Sequence, residues 1–204
     1  MTVNDQMNRI SIHPFRTYIP HGATQIVIGS IPPQRFCLKP AGLFRDDVNF
    51  YYGSRSNVFW KILSEISGVS LTYSNTSHAI TQRRKLLKSM NTGISDIIEK
   101  CIHVNASASD QHLEILEYRD IGDVLKKHAA IRTILCTSEF VRKHLMKQLC
   151  VRPIKNKAKA YTFSFNGSLY ALYVLYSPSP QALKGLGKSG AKIRLEQYSS
   201  YFKM

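Results

Sequence analysis

Short apolar runs alternating with amphipathic helical stretches constrain this chain of 204 residues more than any other feature. Thr24 to Gly29, with Ile26-Val27-Ile28 at its heart, reads as a strand. Ile131 to Thr137 reads as a strand that runs straight into a helix from Ser138 to Leu149, and Ser138 is a good cap for that helix. Cys101 to Asn105 reads as a further short strand. Helices are predicted over Asn57 to Ser67, where Phe59, Ile62, Leu63 and Ile66 recur at helical spacing, over Ile80 to Met90, ending near Asn91-Thr92-Gly93, over Ile121 to His128, and from about Lys188 to Tyr201. Ala160 to Phe165 and Leu169 to Tyr176 flank Asn166-Gly167-Ser168, a hairpin signal. Strand–helix alternation predicts an α/β sandwich whose mostly parallel central sheet has about four strands plus a small hairpin. The chain shows no repeat, low-complexity tract or linker, and its length fits one domain over 1–204.

Composition places the chain among globular proteins. Hydrophobic residues make up 44% and charged residues 20%, enough apolar surface to build a core. No run approaches the ~18 apolar residues of a membrane helix, so no membrane partner is expected. The start, Met1-Thr2-Val3-Asn4-Asp5-Gln6, lacks the basic and apolar regions of a signal peptide. An intracellular, cytoplasmic location is expected, and nucleoid association in a bacterium. Of the four cysteines, Cys37, Cys101, Cys136 and Cys150, none forms a Cys-x-x-Cys pair. Cys101 and Cys136 sit inside apolar runs, where reduced, buried thiols are expected. These spacings do not suit zinc or an iron–sulfur cluster, and the seven histidines show no metal-ligand spacing.

Charge is spread unevenly. The formal net charge is +15, and between Phe140 and Leu195 there is no Asp or Glu. That span holds eleven cations, from Arg142 and Lys143 through Arg152, Lys155, Lys157 and Lys159 to Lys192 and Arg194; Arg83-Arg84-Lys85 with Lys88 forms a second cluster. A field of this sign attracts polyanions and makes their binding salt-dependent. It points to nucleic acid rather than to a membrane surface, because no stretch joins a basic face to a continuous apolar one.

Two turns then carry the chemistry. Gly29-Ser30-Ile31-Pro32-Pro33 follows the first strand, and Ser177-Pro178-Ser179-Pro180 follows the last. In open parallel sheets ligands bind beyond the carboxyl ends of the strands, so both turns could face one cleft. Glycine permits close backbone approach, proline stiffens the path, and serine offers a hydroxyl to phosphate. Taken singly, each is also an ordinary turn. Tyr51-Tyr52-Gly53-Ser54-Arg55-Ser56-Asn57-Val58-Phe59-Trp60 packs aromatics, an arginine and an amide into a loop that opens a helix. It reads as a pocket for a flat polar ring. Asp46-Asp47 could activate water if it reached the cleft, or be a solvated loop. His103 is expected to alternate along a strand, and Glu114, Glu117 and Asp120 to form a polar helix face. There is no Walker loop and no dinucleotide fingerprint.

These segments, in this order, resemble the uracil-DNA glycosylase superfamily, closest to its mismatch-specific and hypoxanthine-DNA glycosylase branches. Ile28-Gly29-Ser30-Ile31-Pro32 is similar to the first motif, and Asn57-Val58-Phe59-Trp60 after Tyr51-Tyr52-Gly53 to the aromatic helix start of those branches. Gly93-Ile94-Ser95-Asp96-Ile97 and the stretch Ser107 to Asp110 resemble the segments that follow, and Ser177-Pro178-Ser179-Pro180 the second motif. The resemblance runs from about Ile26 to Tyr198.

It implies a three-layer α/β/α sandwich and hydrolysis of the N-glycosidic bond of a deaminated base, uracil or hypoxanthine, in base-excision repair. The target nucleotide would be extruded into a pocket formed by Gly29, Ser30, Ile31, Pro32, Phe50, Tyr51 and Tyr52, where an aromatic ring stacks on the base. Ser177, Ser179, Lys184 and Lys188 would hold the DNA backbone. No cofactor or metal is implied, the partner is DNA, and a monomer is expected. The chain departs from the family at two places. Ile31 stands where many members carry Asn or Asp, and the second motif lacks the histidine of several branches. The hypoxanthine-type branch relies instead on an Asn in the aromatic loop, here Asn57, which becomes the candidate to position water or hold the base. The same Asn is also a standard helix cap. The alternative is a catalytically silent nucleic-acid-binding protein of the same fold.

Overall fold

The computed structural model describes residues 10–38, 42–104, 110–183 and 187–203. The chain opens with β1 (Ile10–Ile12), β2 (Gln25–Gly29) and the short helix α1 (Gln34–Leu38). Helices α2 (Phe59–Ser67) and α3 (Ser77–Ser89) follow, then β3 (Thr92–Asp96), β4 (Ile98–His103) and β5 (Leu113–Tyr118). Next come α4 (Ile121–Lys127), β6 (Thr133–Cys136) and α5 (Glu139–Gln148). The chain ends with β7 (Ile154–Lys157), β8 (Ala160–Phe165), β9 (Ser168–Val174) and α6 (Gly190–Ser199).

Six strands form the central sheet in the order β3-β2-β6-β9-β8-β7. The first four are parallel and the last two antiparallel. The parallel core with its added hairpin is as the alternation predicts, but the sheet is larger than four strands. A second, antiparallel sheet of three strands, β1-β4-β5, lies apart from it. The Cys101 stretch belongs to that small sheet as β4.

Burial on both faces explains the continuous apolar runs of the parallel strands. Ile26 and Ile28 of β2 join one core with Ile134 and Cys136 of β6, Leu125 of α4 and Leu145 of α5. Val27, between them, faces the opposite core with Phe59 and Leu63 of α2, Leu87 of α3 and Tyr198 of α6. Helices therefore cover both faces of the sheet.

Local chemistry sets several boundaries. Ser138 caps α5 by accepting the Val141 N–H at 3.2 Å, as expected. Asn166 and Gly167 have φ of 49° and 73°, the pair of left-handed residues that a two-residue hairpin turn needs, and β8 and β9 pair directly across it.

Two expectations fail. Leu113–Tyr118 is a strand and not a polar helix face. Glu114 and Glu117 sit opposite Ile102 and Lys100, while Asp120 caps α4 by accepting the Asp123 N–H at 2.8 Å. Exposed acids three residues apart cannot distinguish a helix from a bulged edge strand, and β4 carries such a register shift beside Lys100. Helix α3 ends at Ser89, close to the expected stop, and Thr92–Asp96, for which the sequence predicts no element, is a fully buried strand beside β2. Its Gly, Ser and Asp are weak strand formers, so the pairing comes from β2 on one side and the Tyr18–Ile94 bridge on the other. Helix α2 begins at Phe59, not at Asn57.

Candidate active site

A cleft of about 620 Å³ opens beyond the carboxyl ends of the parallel strands. The turn after β2, Ser30-Ile31-Pro32-Pro33, forms one wall, and Ser177-Pro178-Ser179-Pro180 after β9 forms another. Phe50, Tyr52 and Asn57 come from the aromatic loop, and Thr137 and Ser138 from the start of α5. The carboxyl groups of Asp96, Asp110 and Glu139 also line it. The two turns, which the sequence separates by more than a hundred residues, thus share one cavity.

Gly29 lies behind this surface and does not line it. It pairs in register with Asp96. A Cβ here would stand 2.3 Å from Asp96 Oδ1 and 2.3 Å from the Tyr52 hydroxyl. Only glycine lets those two polar groups converge beneath the turn. Tyr52 has a left-handed backbone, φ 52°, and Gly53 follows it where a Cβ would meet the Val48 carbonyl at 1.8 Å. This conformation turns the Tyr52 ring onto Phe59, with centroids 4.5 Å apart, and brings its hydroxyl to within 3.4 Å of Thr137 Oγ1. Burial raises the Tyr52 pKa well above the ordinary value, so the phenol stays protonated.

Tyr51 is not part of the pocket. It points into the core, where its hydroxyl accepts a hydrogen bond from Arg119 Nη1 at 2.9 Å and its carbonyl accepts the Trp60 indole N–H at 2.7 Å. Adjacent loop residues diverge, so of the pair only Tyr52 reaches the cleft.

Asn57 precedes α2 by two residues. Its Oδ1 accepts the Phe59 N–H at 2.9 Å, which leaves the amide NH2 without a partner among the described residues. The neighbouring Val58 N–H donates to the Pro178 carbonyl at 3.1 Å and ties this loop to the opposite wall. Helix α6 fastens that wall in turn. Arg194 Nη1 donates to the Ser177 carbonyl at 3.0 Å, the Tyr198 hydroxyl to the Tyr176 carbonyl at 3.0 Å, and the Tyr176 N–H to Gln197 Oε1 at 2.7 Å. Arg194 is buried, a strut for this wall rather than a surface cation. Arg83 is likewise fully buried, between Trp60 and Tyr73. Ser177 and Ser179 stand in the second wall; Lys184 lies outside the described residues, as does the side chain of Lys188.

Of the three carboxyl groups that line the cleft among the described residues, Glu139 is paired with Arg142 Nε at 2.6 Å, and Asp96 and Asp110 are not paired with an arginine or lysine. Asp96 Oδ2 lies 2.9 Å from Nε2 of His13, and both side chains are nearly inaccessible to water. Asp110 sits by the Ser30 and Ser138 hydroxyls, the latter at 3.3 Å. Burial raises its pKa above the usual carboxylate range, against those hydrogen bonds, and the charge of Asp96 adds to the rise. Asp47 plays no part here. It is buried against Arg35, 2.9 Å away, and accepts N–H bonds from Arg55 and Phe44. His103 also lines the cleft, and Ser11 Oγ lies 3.0 Å from its Nδ1. Burial lowers its pKa, against a hydrogen bond with the Pro32 backbone. The Cys37 thiol below the first turn is pushed up to about 12, chiefly by burial, which makes it a poor nucleophile.

In the sequence, Asp96 and Asp110 stood out only as members of the Gly93–Ile97 and Ser107–Asp110 segments, and Ser107 lies outside the described residues. His13 carried no signal at all, because its partner is 83 residues away. Among the described residues no cluster of His, Cys, Asp and Glu could hold a metal ion, and no helix is long and apolar enough to cross a membrane.

No family model matches the chain, and no curated protein sequence does. Among solved structures, the chain is similar to the solution NMR structure of a "putative Uracil DNA glycosylase" from Methanosarcina acetivorans. The two share 17% sequence identity, with a TM-score of 0.61 over 95% of this chain and 97% of that one. Identity this low shows a common fold and no more: the chain has an α/β fold of the kind seen in that protein.

Proposed function

We propose that this protein is a monofunctional DNA glycosylase that hydrolyses the N-glycosidic bond of a deaminated base, uracil or hypoxanthine, in the manner of the mismatch-specific and hypoxanthine-DNA glycosylase branches. One observation carries the reading. The cleft joins both strand-end turns to an amide donor, Asn57, and to carboxyl groups, Asp96 and Asp110, and no arginine or lysine among the described residues lines it. Its volume suits one extruded nucleotide.

Phe50 and Tyr52 form the wall on which a flat base rests, and each such contact is worth about 1–3 kcal/mol. Ser177, Ser179 and the backbone of the first turn receive sugar and phosphate. As the glycosidic bond breaks, the sugar becomes cationic and the base anionic. The free Asn57 NH2 is a donor, the polarity that stabilises an anionic base oxygen. Water adds to the anomeric carbon, and its proton passes to the Asp110 carboxylate. Asp110 supplies the polar group that Ile31 cannot, from a different segment of the chain.

Purified protein is expected to create alkali-labile abasic sites in oligonucleotides that carry uracil or hypoxanthine. Asn57→Ala should lower the rate about 10²–10³-fold, the scale of one oxyanion donor. Rates equal to wild type would remove Asn57 from the reaction. Ile31 at the first turn favours a second reading, a binding protein that leaves every base attached. Tight binding with no release from a panel of uracil, hypoxanthine, xanthine and mismatch substrates would establish it.

A further inference from the structure

No arginine or lysine among the described residues lines the cleft, and the fold sorts the cations that lie elsewhere. Arg83 and Arg194 are buried, and the last turn of α3, with Lys88, delivers the chain to the amino end of β3, away from the cleft. The β7–β8 hairpin is different. β7 is an edge strand exposed along its whole length. Lys157 pairs with Ala160, and Ala160 with Tyr173 near the end of β9. The turn at Ala158 and Lys159 therefore stands at the same end of the sheet as the cleft. Lys159 docks it there: its carbonyl accepts the Val174 N–H at 2.9 Å, and its ammonium lies 3.1 Å from the ring centroid of Tyr176, the neighbour of cleft-lining Ser177. Arg152, Lys155 and Lys157 are exposed. The ion pairs of the described residues all lie elsewhere, and no acid occurs between Phe140 and Leu195.

We infer that this hairpin is a second nucleic-acid contact, in which Arg152, Lys155 and Lys157 lie along the phosphate backbone flanking the nucleotide held in the cleft. The inference rests on the proposed function for its partner, DNA. At about 3.3 Å per residue, Arg152 to Lys157 spans roughly 16 Å, over which one strand of a duplex carries about five phosphates. Three cations in that length can each meet a phosphate. The contact carries no sequence information; it sets register and holds the duplex beside the cleft. Lysines on an edge strand also discourage pairing between copies, and the experiment separates the two roles.

The test measures binding of wild type and of the triple variant Arg152→Ala, Lys155→Ala, Lys157→Ala to a duplex over a range of salt concentrations. The slope of log K against log salt should fall by about 2–3 in magnitude, near 0.9 for each lost phosphate contact. The loss should be equal on damaged and undamaged DNA, and single-turnover excision at saturating DNA should not change. The double variant Lys85→Ala, Lys88→Ala is the matched control and should leave the slope within about 0.5 of wild type. An unchanged slope in the folded triple variant overturns the inference, and new self-association with that unchanged slope assigns the lysines to edge protection. If wild type excises no base yet the triple variant loses slope, the glycosylase reading fails and the phosphate contact stands.

Discussion

Single residues decide the chemistry of this cleft by the company they keep. Asp110 is a carboxyl whose pKa burial raises. As the base, it must be ionised, so kcat/KM should fall on acidification at a pH above that of an ordinary aspartate, about 3.9. Asp110→Asn should remove that acid limb together with about 10²–10⁴ of the rate. The linkage has the opposite sign for stability. A carboxyl bound more tightly to its proton in the folded state favours folding below the unfolded pKa, and loses that advantage as pH rises through the folded one. Asp110→Asn should therefore melt at a higher temperature than wild type at neutral pH while working more slowly. A retained acid limb in the variant would move the role to another group, with Asp96 next to it. The residue types were legible in the sequence. Their roles were not, because Asp110 acquires its shifted affinity only from the Ser30, Ser138 and Asp96 that surround it.

Elements act here as clamps. Helix α6 has almost no catalytic side chain to offer, yet it holds the second turn through Arg194, Gln197 and Tyr198. Arg194→Met fills similar space, removes a buried charge and frees the Ser177 carbonyl. The expected result is a rise of roughly tenfold or more in KM for DNA, since small misplacements of a positioning wall are costly, with a smaller change in kcat. Wild-type KM in this variant would mean that the turn holds its own shape. The sequence places the helix itself at about Lys188 to Tyr201, and α6 covers most of that span. Its job as a strut was not legible, because arginine in a basic span reads as a surface charge until the fold buries it. The aromatic loop shows the same limit. Tyr51 and Tyr52 are equivalent as letters, and only the left-handed turn at Tyr52 and the contact at Gly53 send one ring inward and the other to the cleft.

For the whole molecule, the two cores on either side of the sheet protect most of the thiols. Cys101 and Cys136 are buried, Cys37 is partly so, and Cys150 is exposed. Burial raises the first three thiol pKa values, Cys37 to about 12 and Cys101 to about 11. A thiol reagent at neutral pH should find one fast group in the native protein, lost in Cys150→Ser, and all four after denaturation. Two or more fast groups in the folded state would contradict the packing described. By itself the sequence determined the class of fold, the cap of α5, the Asn-Gly hairpin and the parallel core, because each is encoded by neighbours a few residues apart through periodicity, capping and turn chemistry. Only the tertiary structure decided that Thr92–Asp96 is a strand, that His13 holds Asp96, that Arg83 and Arg194 go inside, and that Asp110 meets Asn57 in one cleft. Those outcomes depend on sheet register and burial between distant segments, and no local pattern records them.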